Sequence, residues 1–261
     1  MRAPLFVCFV LLLTGCATAR QGRGPYRVAS PPAAPISGVV FVANGAGDSR
    51  TASQNLAAVV AQTAAPLKIE TFAWSRGYRR FVADQVDEDN HAAQGRRLAD
   101  AVLAHRQAFP NRRIYLVGQS AGGAVVLNAV KSLPPSSIER IVLLSPSVCT
   151  GLDLRQALTV SREGIDLFHS ERDRWVLGLG MRVVGTTDGA CRVAAGRVGF
   201  KTIVTNPTDA ALYSRLRQHP WNASVTWTGH NGGHFGNLEP KFLRAYVLPL
   251  LGNGNPVCAP R

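Results

Sequence analysis

The chain has 261 residues, 46% of them hydrophobic, and a formal net charge of +13 from 29 Lys and Arg against 16 Asp and Glu. That length suits one α/β domain with a large core, and that hydrophobicity excludes a disordered chain. The basic residues are scattered, at most in pairs such as Arg79-Arg80, Arg96-Arg97 and Arg112-Arg113. Without an arginine-rich arm, a helix-turn-helix or an RNA-recognition motif, they read as an Arg-rich surface, and no nucleic acid partner is expected.

The chain opens with Arg2, a short apolar run over 5–13, and then Leu13-Thr14-Gly15-Cys16. The run is too short to cross a hydrocarbon layer, which takes about 20 helical residues. A charged start, a short apolar core and small residues at its end read as an export signal over 1–15. The Leu-Thr-Gly-Cys ending resembles the lipobox of bacterial lipoproteins. The resemblance implies cleavage before Cys16, acylation of Cys16, and a membrane anchor in the bacterial cell envelope; each buried acyl methylene adds about 0.8 kcal/mol. Residues 16–35 contain Gly22, Gly24, Pro25, Pro31, Pro32 and Pro35, a tether composition. The folded domain is expected over 36–261. Cys149, Cys191 and Cys258 then remain in an oxidising compartment, where one disulfide and one spare thiol is the simplest arithmetic and the pairing stays open.

Along the domain, apolar runs bounded by turn residues alternate with helical spacing. Strands are predicted at 39–43, 69–74, 113–117, 138–144, 165–169 and, last, 224–228. Helices are predicted at 53–65, 90–108, 121–131 and 240–251. Residues 176–223, rich in Gly and Arg, are the least legible and have room for one more helix or an ordered insertion. Strand-helix alternation implies right-handed crossovers and a mostly parallel sheet with helices on both faces.

Gly118-Gln119-Ser120-Ala121-Gly122 falls between a predicted strand and a predicted helix. It matches G-x-S-x-G, in which a strained turn lifts the serine hydroxyl into the open at a helix N-terminus. With this motif the chain resembles the α/β-hydrolase family over roughly 36–251. The resemblance implies an α/β-hydrolase fold and a serine nucleophile followed in chain order by an acid and a histidine. Asp173, just past the strand at 165–169, fits the acid position. Asp166 lies inside that strand, and Glu171 is the closer rival. After the strand predicted at 224–228, His234 precedes Phe235 and fits the histidine position, with His230 as the alternative.

The two histidines stand four apart, as zinc ligands on a helix can, but Gly232-Gly233 opposes a helix and no third ligand is evident. No metal or cofactor is expected. The family's oxyanion hole implies two backbone donors, Ala121 after the nucleophile and Ala46 in Asn44-Gly45-Ala46-Gly47, where Asn44 stands in place of the family's His. Only about 50 residues separate Ser120 from Asp173, which leaves no room for a large lid domain. The implied activity is ester hydrolysis through Ser120, Asp173 and His234, on a small-molecule or lipid ester. Transfer of the acyl group to an alcohol or amine, or a non-catalytic envelope protein on the same scaffold, are the alternatives.

Overall fold

A computed structural model of the chain describes residues 35–180, 185–189 and 191–252. The export signal, Cys16, the tether through residue 34, and Cys258 lie outside the described residues. Among the described residues no helix is long and apolar enough to cross a membrane.

Six strands form one wholly parallel sheet: β1 (Gly38–Ala43), β2 (Leu67–Phe72), β3 (Arg113–Gln119), β4 (Arg140–Leu144), β5 (Ile165–His169) and β6 (Leu216–Pro220), in the order β2-β1-β3-β4-β5-β6. Helices α1 (Thr51–Thr63), α2 (Phe81–Val86), α3 (Glu88–Ala108), α4 (Gly122–Ala129) and α5 (Arg155–Val160) connect them. Successive side chains of a strand face opposite ways, so each apolar strand feeds two cores. Val39, Phe41, Ile114, Leu116, Ile141 and Leu143 pack with residues of α3, α4 and α5 on one face. Val40, Val42, Tyr115, Val117, Val142 and Leu144 pack with residues of α1 and of the C-terminal helical run 240–251 on the other. A parallel sheet covered on both faces, with a serine turn at the carboxyl end of β3, is the α/β-hydrolase fold implied by the resemblance.

The serine turn is tight for a steric reason. Ser120 has φ 52°, in the left-handed region that non-glycine residues avoid. A Cβ on Gly122 would sit 2.1 Å from the Ala43 carbonyl oxygen, and one on Gly118 would sit 2.8 Å from the Gly123 Cα. Only glycine lets α4 start this close to β1 and β3. The Ser120 N–H donates to the Leu144 carbonyl of the neighbouring strand (3.0 Å), which pins the turn to the sheet.

The last strand is not where apolar alternation put it. Residues 223–228 form a 3₁₀ helix, Ala223–Thr228, whose start is capped by the Asn222 side chain accepting from the Ser224 N–H at 2.9 Å. The strand is instead Leu216–Pro220, whose sequence is Leu-Arg-Gln-His-Pro. Its anchor is Asp166 on β5, which is fully buried and accepts from Arg217 (2.8 and 3.0 Å) and from His219 Nε2 (2.8 Å), while Arg140 of β4 reaches it at 2.5 Å. Burial alone would raise the Asp166 carboxyl, but the hydrogen bonds from His219, Arg217 and Arg140 hold it well below the usual carboxylate range. The rest of 176–223 holds Ala195–Val198 and a helix at Pro207–Tyr213.

Candidate active site

The carboxyl ends of β3 and β5 and the loop before the C-terminal helical run converge on Ser120. His234 Nε2 lies 3.0 Å from Ser120 Oγ, and His234 Nδ1 lies 2.6 Å from Asp173 Oδ2. All three are buried. The other Asp173 oxygen accepts from the Leu177 N–H at 3.1 Å, which fixes the carboxylate plane. The Asp173 and His234 loops touch at Gly232, where φ is 89° and a Cβ would stand 2.9 Å from Arg172 Cβ. Asn237 Nδ2, three residues past His234, donates to Ser145 Oγ at 2.8 Å and ties the histidine loop to the end of β4. Glu171 is exposed, and Asp166 is committed to β4 and β6.

His230 sits apart from this chain of hydrogen bonds. Its Nδ1 accepts from the Gly232 N–H at 3.1 Å, and its ring stands edge-on to Phe242 with centroids 4.9 Å apart. Desolvation lowers its pKa to about 4. It is a neutral acceptor that shapes the loop carrying His234.

Beside Ser120, the amides of Ala121 and Ala46 make no hydrogen bond with a described residue. Ala46 belongs to the turn after β1, and that turn is held by a residue with no motif to announce it. Asp84, on α2, is fully buried; its Oδ2 accepts from the Gly47 N–H (2.7 Å) and Ser75 Oγ (2.5 Å), and its Oδ1 from the Arg76 N–H (2.8 Å). One carboxylate thereby joins the turn after β1 to the turn after β2. Asn44 acts at the start of α1, where its side chain bonds the N–H and hydroxyl of Ser53, both at 3.0 Å. Trp74 is core, with its indole N–H on the Asn44 carbonyl at 2.8 Å.

Ser120 and His234 open into a cavity of about 700 Å³ whose walls include Tyr78, Phe81, Val82, Val176, Phe235 and Leu238. Phe81 and Val82 come from α2, whose brevity hid it from periodicity. Gln85, also on α2, donates to the Gly185 carbonyl (3.3 Å) and accepts from Ser147 Oγ (3.2 Å). The neighbouring loop is closed by a disulfide between Cys149 and Cys191, with Cα atoms 5.5 Å apart. That settles which cysteines pair in the domain.

No protein-family model and no curated protein matches the chain. Among solved structures it is similar to an acetylxylan esterase (15% identity, TM-score 0.42, covering 80% of this chain and 98% of that one). It is also similar to a lipase-esterase related protein from Clostridium acetobutylicum (12%, 0.41, 78% and 90%) and a lipase/esterase from Lactobacillus plantarum (12%, 0.40, 84% and 88%). At these identities and scores the likenesses bear no weight on function, which is read from the site.

Proposed function

We propose that the protein is a serine hydrolase that cleaves an ester through an acyl-enzyme, anchored to the bacterial envelope by a lipidated Cys16. The observation that carries the catalytic reading is the hydrogen-bond chain Ser120 Oγ–His234 Nε2, His234 Nδ1–Asp173 Oδ2, at 3.0 and 2.6 Å, beside two amides without partners among the described residues. The envelope reading is supported by the export signal and lipobox-like ending alone.

In this reading His234 Nε2 takes the Ser120 proton as Oγ attacks the acyl carbonyl. Asp173 keeps the other ring proton on Nδ1, so that Nε2 is free to accept, and stabilises the imidazolium that forms. The carbonyl oxygen becomes an anion held by the Ala46 and Ala121 N–H groups. Collapse expels the alcohol with the proton returned by His234. Water, deprotonated by the same imidazole, then attacks the acyl-enzyme, releases the acid and restores Ser120. The largely apolar cavity suits an acyl chain or an apolar alcohol.

The test is labelling by a fluorophosphonate together with turnover of a panel of nitrophenyl esters, on the parent and on Ser120→Ala. Labelling and turnover that both vanish in the variant support the reading. A folded parent that neither labels nor turns over any ester overturns it. Product partitioning with an added alcohol separates hydrolysis from acyl transfer.

A further inference from the structure

The mouth of the Ser120 cavity is ringed by side chains that a water-soluble surface would bury. Tyr78 is 79% exposed, Phe81 54%, Val82 64% and Phe235 60%, and all four line the cavity. Trp175, beside the lining residue Val176, is 82% exposed. Tyr78, Phe81 and Val82 come from one segment, Val176, next to Trp175, from a second and Phe235 from a third, and these lining residues meet at this opening. A contiguous exposed apolar patch on one face marks an interaction surface.

The segments that supply these side chains carry charge of one predominant sign. Arg79 and Arg80 stand between Tyr78 and Phe81, Arg174 directly precedes Trp175, and Arg172 and Arg174 line a separate shallow groove with Asn231 and Gly233 of the histidine loop. All four are exposed. Arg172 lies over the Trp221 ring, and Arg79, Arg80 and Arg174 form no ion pair with a described residue. Over 78–82 and 171–176 these four arginines stand against one exposed carboxylate, Glu171; of the two carboxylates that line the cavity, Glu239 is exposed and the half-buried Asp48 is paired with Arg50. Tryptophan and tyrosine favour the headgroup level of a bilayer, and arginines beside them favour anionic lipid.

We propose that this rim docks on an anionic phospholipid bilayer, with Tyr78, Phe81, Trp175 and Phe235 entering the headgroup layer and Arg79, Arg80 and Arg174 meeting lipid phosphates. The cavity then opens onto the membrane, and an ester with an apolar tail reaches Ser120 without crossing water. The delivery of substrate rests on the hydrolase reading; the docking does not.

The test uses the full chain carrying Cys16→Ser, which removes the acylated thiol. Binding to phosphatidylcholine vesicles with and without phosphatidylglycerol is compared for that parent and for Trp175→Ser combined with Arg79→Ser, Arg80→Ser and Arg174→Ser. None of these four side chains lines the cavity. Both chains share residues 1–35, so their difference isolates the rim. Each arginine at an anionic surface contributes roughly fivefold in partition, so the combined variant should bind phosphatidylglycerol vesicles at least about tenfold more weakly. Its turnover of a short, water-soluble ester should stay within about twofold of the parent, which also shows that it folds. Brominated lipid should quench the parent's fluorescence more than that of Trp175→Phe. Equal vesicle binding by parent and variant, or no preference of the parent for anionic vesicles, overturns docking. So does self-association of the parent that is lost in the variant without any vesicle preference. Vesicle binding that persists in a chain unable to turn over any ester overturns the hydrolase reading and leaves docking standing.

Discussion

His234 Nδ1 and Asp173 Oδ2 lie 2.6 Å apart, although 61 residues separate them in the chain. With Asp173 Oδ1 occupied by the Leu177 N–H, Oδ2 has one partner among the described residues, His234, and one role, to hold the imidazole tautomer. In Asp173→Asn the amide would present a donor where an acceptor is needed, or rotate and leave Nδ1–H unsupported. The expected result is a fall in kcat on the order of 10³–10⁴-fold on a nitrophenyl ester, with the fold intact by circular dichroism. A loss below about tenfold would remove Asp173 from the proposed mechanism.

Gly122→Ala places a Cβ 2.1 Å from the Ala43 carbonyl oxygen, against backbone that cannot step aside. Gly151→Ala meets only the Cys149 sulfur, at 4.0 Å. The first substitution should cost about 3 kcal/mol or more of stability. The second should stay within about 0.5 kcal/mol. Urea midpoints measured side by side decide it, and equal midpoints would mean that α4 can shift away from β1.

Asp84→Ala removes the acceptor shared by the Gly47 N–H, Ser75 Oγ and Arg76 N–H. Each donor left unsatisfied costs about 1–3 kcal/mol. The turn bearing Ala46 then loses its tie to α2. The stabilisation of an oxyanion by one donor is worth on the order of 10²-fold. Asp84→Ala is therefore expected to lower kcat by about 10–100-fold with a much smaller change in KM, and Asp84→Asn to recover part of it. A change confined to KM would separate Asp84 from the oxyanion turn.

His230 carries a pH dependence of stability. Its pKa is lowered to about 4 in the folded chain, by desolvation, against about 6.5 when unfolded. Below pH 6.5 the unfolded chain takes up a proton that the folded chain refuses. The contribution of this residue is thus complete above about pH 6.5 and declines as pH falls to about 4, by roughly 3 kcal/mol in all. His230→Gln keeps an acceptor for the Gly232 N–H and does not titrate. Chemical denaturation at pH 7 and pH 5 should show a smaller loss for the variant than for the parent, and identical losses would show that His230 is solvated in the folded chain.

Much of the sheet could be read from local pattern. β1, β3 and β4 are short apolar runs buried on both faces, and that burial requires the composition that made them visible. β6 was illegible because its partners are distant: Arg217 and His219 belong in a sheet only with Asp166 waiting on β5, and no local signal carries that. Val-Thr-Trp-Thr at 225–228 has strand-forming side chains, yet the Asn222 cap turns the chain into a 3₁₀ helix there. The role of Asp84 was equally hidden, since the groups it joins come from the turns after two different strands.

By itself the sequence determined the steric logic of the turn at Ser120, because glycine spacing and an apolar run are properties of adjacent residues. By resemblance it also supplied an order, Ser120, Asp173, His234, with Glu171 as the rival acid and His230 as the alternative histidine. The tertiary structure alone decided that His234 rather than His230 meets Ser120, that Cys149 pairs with Cys191, and that apolar side chains from three segments share one opening. Hydrogen bonds, disulfides and surface patches act over a few ångströms, and only the folded chain brings residues so far apart in sequence within that reach.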